Sequence, residues 1–73
     1  MNTKFILLSK YEKPVLNFKE VCDAIGISVQ SGYNMRSQGI FPIPMIDKPL
    51  RASIDDIANY IDEQFRIARE KIA

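Results

Sequence analysis

The stretch Glu20-Val21-Cys22-Asp23-Ala24-Ile25-Gly26-Ile27-Ser28, followed ten residues after Ser28 by Gln38-Gly39-Ile40-Phe41-Pro42, constrains this chain more than any other part. It reads as a short amphipathic helix, a tight turn at Gly26, a second helix capped by Ser28 and a stop at Gly39. Only glycine enters the left-handed conformation after a helix without a steric penalty, so Gly26 ends the first helix. Ser28 then offers its hydroxyl to the free backbone N–H groups of the next turn. Two short helices joined by about 3–4 residues, often with a glycine, are how proteins present a recognition helix to the DNA major groove. The region after Gly39 suits a β-hairpin. The expectation is a small winged helix-turn-helix that binds DNA.

The flanking segments fill in the rest. Thr3–Leu8 is rich in β-branched and large apolar residues, which predicts a short, mostly buried N-terminal strand. Tyr11-Glu12-Lys13-Pro14 is a polar turn, and its proline disfavours helix at Lys13. Asn17 with Glu20 three residues later forms a capping box. Phe18, Val21, Cys22 and Ile25 then recur at helical spacing, so one face of Phe18–Ile25 packs inward, and Ile27 plugs the core at the turn. The predicted helix Val29–Gln38 contains Gln30, Ser31, Gly32, Asn34 and Ser37, none a strong helix former. Gly32 alone costs about 1 kcal/mol relative to alanine. Packing through Val29, Tyr33 and Met35 must therefore hold this helix.

Phe41–Ala52 carries prolines at 42, 44 and 49 that forbid helix, which predicts a short hairpin with its tip near Asp47–Pro49. Ser53, with Asp56 three residues on, caps a last helix from about Ile54 to the end. Its apolar positions Ile54, Ile57, Ala58, Ile61, Phe65, Ala68 and Ile72 recur at spacings of three and four, and Tyr60 and Ile67 widen the stripe. That helix is longer than a minimal winged helix requires, so its C-terminal half is expected to clasp the Phe5–Leu8 strand or to pair with another protomer. The order is strand, helix, helix, hairpin, helix. We read residues 1–73 as one α+β domain.

Composition narrows the function. A chain of 73 residues is near the lower size at which a domain folds alone, and oligomerisation is a common remedy. The longest apolar run, Phe5-Ile6-Leu7-Leu8, is far short of the roughly 18–20 residues that span a bilayer. No secretory signal is visible, so a cytoplasmic location away from membranes is expected. With no His and a single Cys, neither a familiar zinc site nor a His-based triad can be assembled within the chain. An enzyme is not expected, nor any metal or cofactor. Cys22 falls on the apolar face of the first predicted helix, where a thiol behaves as a small hydrophobe.

The net charge of +1 is the main argument against nucleic-acid binding, and the charge distribution softens it. Residues 28–52 carry Arg36, Lys48 and Arg51 against Asp47 alone. The acidic excess lies on the last helix, where Asp55, Asp56, Asp62, Glu63 and Glu70 outnumber Arg66, Arg69 and Lys71. Phosphate contacts supply most non-specific affinity, so one protomer should bind DNA weakly.

The amide and hydroxyl side chains of the second helix match the task. Gln and Asn both donate and accept, as the paired edge of adenine in the major groove requires. Gln30, Ser31 and Asn34 are the candidates for base edges, with Ser37 on the same broad face. Ser28, Tyr33 and Arg36 are placed to reach the backbone or thymine methyls. Lys48 and Arg51 would lie where a wing crosses the phosphates, and Lys19 is a further phosphate candidate. Each has a plain structural alternative. Tyr33 equally suits a half-buried core position, Arg36 a surface pair with Asp23 or Glu20, and Lys48 a solubilising hairpin tip.

At these residues the sequence resembles the excisionase/AlpA-type regulators, small phage proteins with a MerR-like winged helix. The resemblance rests on Glu20-Val21, Gly26-Ile27-Ser28, Ser31 with Tyr33, Gly39-Ile40-Phe41-Pro42 with Pro44, Arg51 and Asp56-Ile57-Ala58-Asn59-Tyr60-Ile61, covering about residues 15–64. Separately, Met1-Asn2-Thr3 with Phe5, Leu7-Leu8 and Tyr11, together with Val21-Cys22 and the final helix, is similar to the pyocin activator (PrtN-like) family of prophage regulators. The resemblance implies binding to short repeats at a promoter or attachment site in double-stranded DNA. It implies action as an excisionase, with a phage integrase as partner, or as a transcriptional regulator, with homodimeric or cooperative assembly on DNA. Asn34 stands where an arginine is common in that pattern, and Gly32 where an apolar residue is common. The competing expectation is a protein-interaction module, antirepressor-like, that uses the same fold to hold a protein partner.

Overall fold

Polar side chains of the chain itself fix most helix boundaries in the computed structural model, which describes residues 2–72. The elements run α1 (Thr3–Tyr11), β1 (Val15–Asn17), α2 (Phe18–Ile25), α3 (Val29–Ser37), β2 (Arg51–Ser53) and α4 (Ile54–Ile72). Among the described residues, four helices and one two-stranded antiparallel sheet make an α+β arrangement.

The N-terminal segment corrects the expected strand at Thr3–Leu8. It is helical because the Asn2 side chain accepts hydrogen bonds from the backbone N–H of Lys4 and Phe5, a local N-cap. At the other end Glu12 adopts a left-handed conformation and its N–H returns to the Leu8 carbonyl. A four-residue apolar run cannot by itself distinguish a strand from a helix turn, and here the cap decides. Leu7 is buried, Leu8 and Tyr11 pack on the core, and Phe5 and Ile6 face solvent. The helix lies along the first half of α4, with the Thr3 hydroxyl donating to Asp62 and Lys4 paired with Asp55 at 2.8 Å. The C-terminal half of α4 therefore does not clasp this segment.

The sheet also differs from expectation. Arg51–Ser53 pairs with Val15–Asn17, in the register Val15 to Ser53, Leu16 to Ala52 and Asn17 to Arg51. The expected hairpin across Phe41–Ala52 shrinks to a single bridge between Ile46 and Arg51, closed by two 2.8 Å hydrogen bonds around the turn at Asp47–Leu50. Pro42 and Pro44 have no N–H to give a ladder, so the first arm of that hairpin cannot extend. The free edge of β2 is taken instead by residues just before α2.

The core gathers Leu7, Leu16, Val21, Ile43, Ala52, Ile54, Ile57 and Ala58, all under a tenth exposed. At roughly 25 cal/mol per Å² of apolar area, each large member contributes about 1.5–3 kcal/mol. The α4 stripe enters this core only through its first turns. Ser53 accepts from the Asp56 N–H as expected, fixing the start of α4. Further along the same stripe Phe65 is 60% and Ile72 is 88% exposed.

Candidate nucleic-acid interface

The unit α2–turn–α3 is built from local signals that the sequence carries. Asn17 accepts from the Glu20 N–H and Glu20 returns a bond from the Asn17 N–H, the full capping box. Lys13 pairs with Glu20 at 2.8 Å and, with the Asn17 N–H, holds its carboxyl below the usual range. Gly26, at φ 80°, ends α2 in a Schellman motif: its N–H reaches the Asp23 carbonyl, and the Ile27 N–H reaches that of Cys22. Ser28 then caps α3, accepting from the Ser31 N–H at 3.1 Å while its own hydroxyl meets that of Ser31 at 3.0 Å. Gly39 closes the far end as expected, and Gln38 is the C-cap, one residue beyond the helix.

How α3 sits on the domain is the less expected part. Its one fully buried residue is Gly32. A Cβ there would lie 2.6 Å from Cys22 Sγ and 2.8 Å from Phe18 Cζ, closer than real carbon atoms approach. The glycine that weakens the helix is what lets α3 press against α2. Val29 and Met35 are half-buried beside it, in line with expectation. Tyr33 is not a core anchor: it is 54% exposed, with its ring stacked on Phe18 at a centroid distance of 4.5 Å. Phe18 also meets Phe41 at 5.2 Å, joining α3 to the segment that follows it. Cys22 is fully buried, and burial pushes its thiol pKa up, so it behaves as a packing group.

With Gly32 turned inward, the opposite side of α3 is left to solvent. Gln30, Asn34 and Ser37 fall on that side and are exposed, with Ser31 at its margin. Ser37 donates its hydroxyl to the Asn34 carbonyl at 2.9 Å. The amide groups of Gln30 and Asn34 make no side-chain hydrogen bond among the described residues. Ser28 is exposed, though its oxygen is already engaged as the cap.

The basic candidates are less uniform. Lys19 and Lys48 are exposed and unpaired among the described residues. Arg36 pairs with Asp47 at 3.6 Å, tying α3 to the 47–50 turn; it engages neither Asp23 nor Glu20. Arg51 is half-buried and donates to the Pro49 carbonyl at 2.9 Å, so part of its guanidinium serves the turn itself. Asp23 is occupied elsewhere: Tyr11 and Lys10 both donate to it and hold its carboxyl below the ordinary range. Sequence reading did not single out Gly32 as the contact point. Its signal was a glycine in the middle of a short helix, opposite the amides.

Among the described residues no group of three acidic or cysteine side chains could hold a metal ion, and no helix is long and apolar enough to cross a membrane. Comparison with protein-family models, curated proteins and solved structures gave no match for this chain.

Proposed function

We propose that the chain binds double-stranded DNA through the outward side of α3, as a small non-enzymatic phage or prophage regulator acting in the cytoplasm. In this reading α2, the Gly26–Ser28 turn and α3 are the helix-turn-helix, and the bridge between Ile46 and Arg51 is a short wing. The observation that carries the proposal is the placement of Gln30 and Asn34 on the solvent side of a helix pinned at Gly32. Two exposed amides at helical spacing suit adenine edges in the major groove. Lys19 and Lys48 supply phosphate contacts, with Arg36 joining them when it releases Asp47. The excisionase/AlpA and pyocin-activator resemblances supply the setting: repeats at an attachment site or promoter, and an integrase partner if the role is excision.

Mobility shifts with duplexes from such repeats, run at two salt concentrations, test this. Binding that weakens with salt and is lost in Asn34→Ala protein supports the reading. Folded protein that shifts no duplex even at low salt refutes it. A second reading, a protein-binding module, is favoured by one observation: Tyr33, Ile40 and Ile46, on and beyond α3, each expose more than half of their surface. Failure to bind DNA together with a co-purifying protein held at these residues would select it.

A further inference from the structure

We infer that a second copy of this chain docks antiparallel along the C-terminal half of α4, with Phe65 of each copy entering a groove on the other. The inference stands apart from what α3 contacts. A groove of about 460 Å³ opens between the end of α2, at Ala24 and Ile25, and α4, at Tyr60, Ile61, Phe65 and Ala68. Its lining is largely apolar, and it continues the stripe that is core at Ile54, Ile57 and Ala58. A helix that keeps an apolar stripe beyond its own core has a face made for a partner. The chain extends 41 × 30 × 17 Å, thin in one direction, and nothing else among the described residues covers this face.

Charge identifies the partner as a second copy and sets its direction. Residues 62–72 carry Asp62, Glu63 and Glu70 against Arg66, Arg69 and Lys71, three of each sign. Arg66 is satisfied within the helix by Glu63 and Glu70. Asp62 and Arg69 lie two turns apart on one flank of the stripe, as a separation of seven residues requires. In an antiparallel pair related by a two-fold axis, the same flank faces itself in reverse order. Each Asp62 then meets the Arg69 of the other copy, twice per dimer, while Phe65 lies against Ala68 and Ile61 against Ile72. In a parallel pair the flank carrying Asp62 and Arg69 would face the opposite flank of the other helix, and the two residues would not meet. Asp62 already accepts from Thr3, and a carboxylate has lone pairs left for a guanidinium.

Sedimentation of the full chain without DNA, from micromolar to millimolar protein, reads this directly. The mass rises with concentration from 8.4 kDa towards twice that value. Phe65→Asp protein stays at the monomer mass with unchanged helical content, since Phe65 is largely exposed within one copy. Asp62→Arg and Arg69→Asp each weaken association, and the double exchange restores it. A chain that is monomeric throughout the range overturns the inference. So does a dimer indifferent to Phe65→Asp, or a double exchange that fails to restore what each single change removed.

Discussion

Gly32 is the residue on which the geometry of α3 turns. Alanine is the better helix former by about 1 kcal/mol, so propensity alone favours Gly32→Ala. Its Cβ, however, has Cys22 Sγ and Phe18 Cζ inside contact distance. Overpacking of this kind costs typically about 1–3 kcal/mol, and we expect a net loss of stability in urea denaturation. Adding Cys22→Ala to that background makes room where the clash is worst and should recover part of the loss, a coupling readable as a double-mutant cycle. Asn34→Ala separates the other side of the same helix. It is exposed, so stability should change by less than about 0.5 kcal/mol. The loss of a base contact worth about 1–3 kcal/mol would appear only in DNA affinity.

Among the elements, those whose ends are set by neighbouring residues were legible in the sequence. α2 begins at the Asn17–Glu20 box and ends at Gly26 because every partner lies within five residues. Asn17→Ala should cost about 1 kcal/mol through the lost cap, measured by thermal melting. The same locality explains why the stop at Gly39 and the start of α4 at Ser53 were visible. α1 departs from the expected strand because Phe5-Ile6-Leu7-Leu8 carries neither a helical nor an alternating period, and the cap that makes it helical is the single side chain of Asn2. β1 and β2 join residues far apart in sequence, and nothing near Val15 announces Ser53 as its partner. Likewise the inward turn of Gly32 depends on Phe18 and Cys22, which only the packed fold brings beneath it.

The link between α1 and α2 gives this scale a pH test. Tyr11 and Lys10 lower the pKa of Asp23, and Lys13 lowers that of Glu20. A lowered folded-state pKa stabilises above the unfolded value and is lost as pH falls through the folded one. Stability from these carboxylates should thus be intact above about pH 4–5 and decline below it, given ordinary values of about 3.9 for Asp and 4.3 for Glu. Lys10 and Tyr11 are both raised, Lys10 chiefly by Asp23 and Tyr11 chiefly by burial. Their contribution is complete below the unfolded values and fades as pH rises past about 10. Thermal melts of Asp23→Asn protein should show a flatter acid limb than the parent.

At the scale of the whole molecule, the proposed DNA binding would have to work without a strong field, because the 73-residue chain is near-neutral. With about three phosphate contacts per protomer, the logarithmic salt dependence of affinity should have a slope near about −3. Pairing through α4 would double that footprint, linking two weak sites into a stronger one. The α3 interface and the α4 groove are separate surfaces, so each can be disabled alone. The most direct test of the α3 reading is a nuclear magnetic resonance titration of the full chain with a short duplex at low salt. We expect shifts concentrated in the Ser28–Ser37 amides and in the side-chain NH₂ groups of Gln30 and Asn34. Unmoved α3 signals at saturating duplex, or shifts confined to other faces, would contradict it.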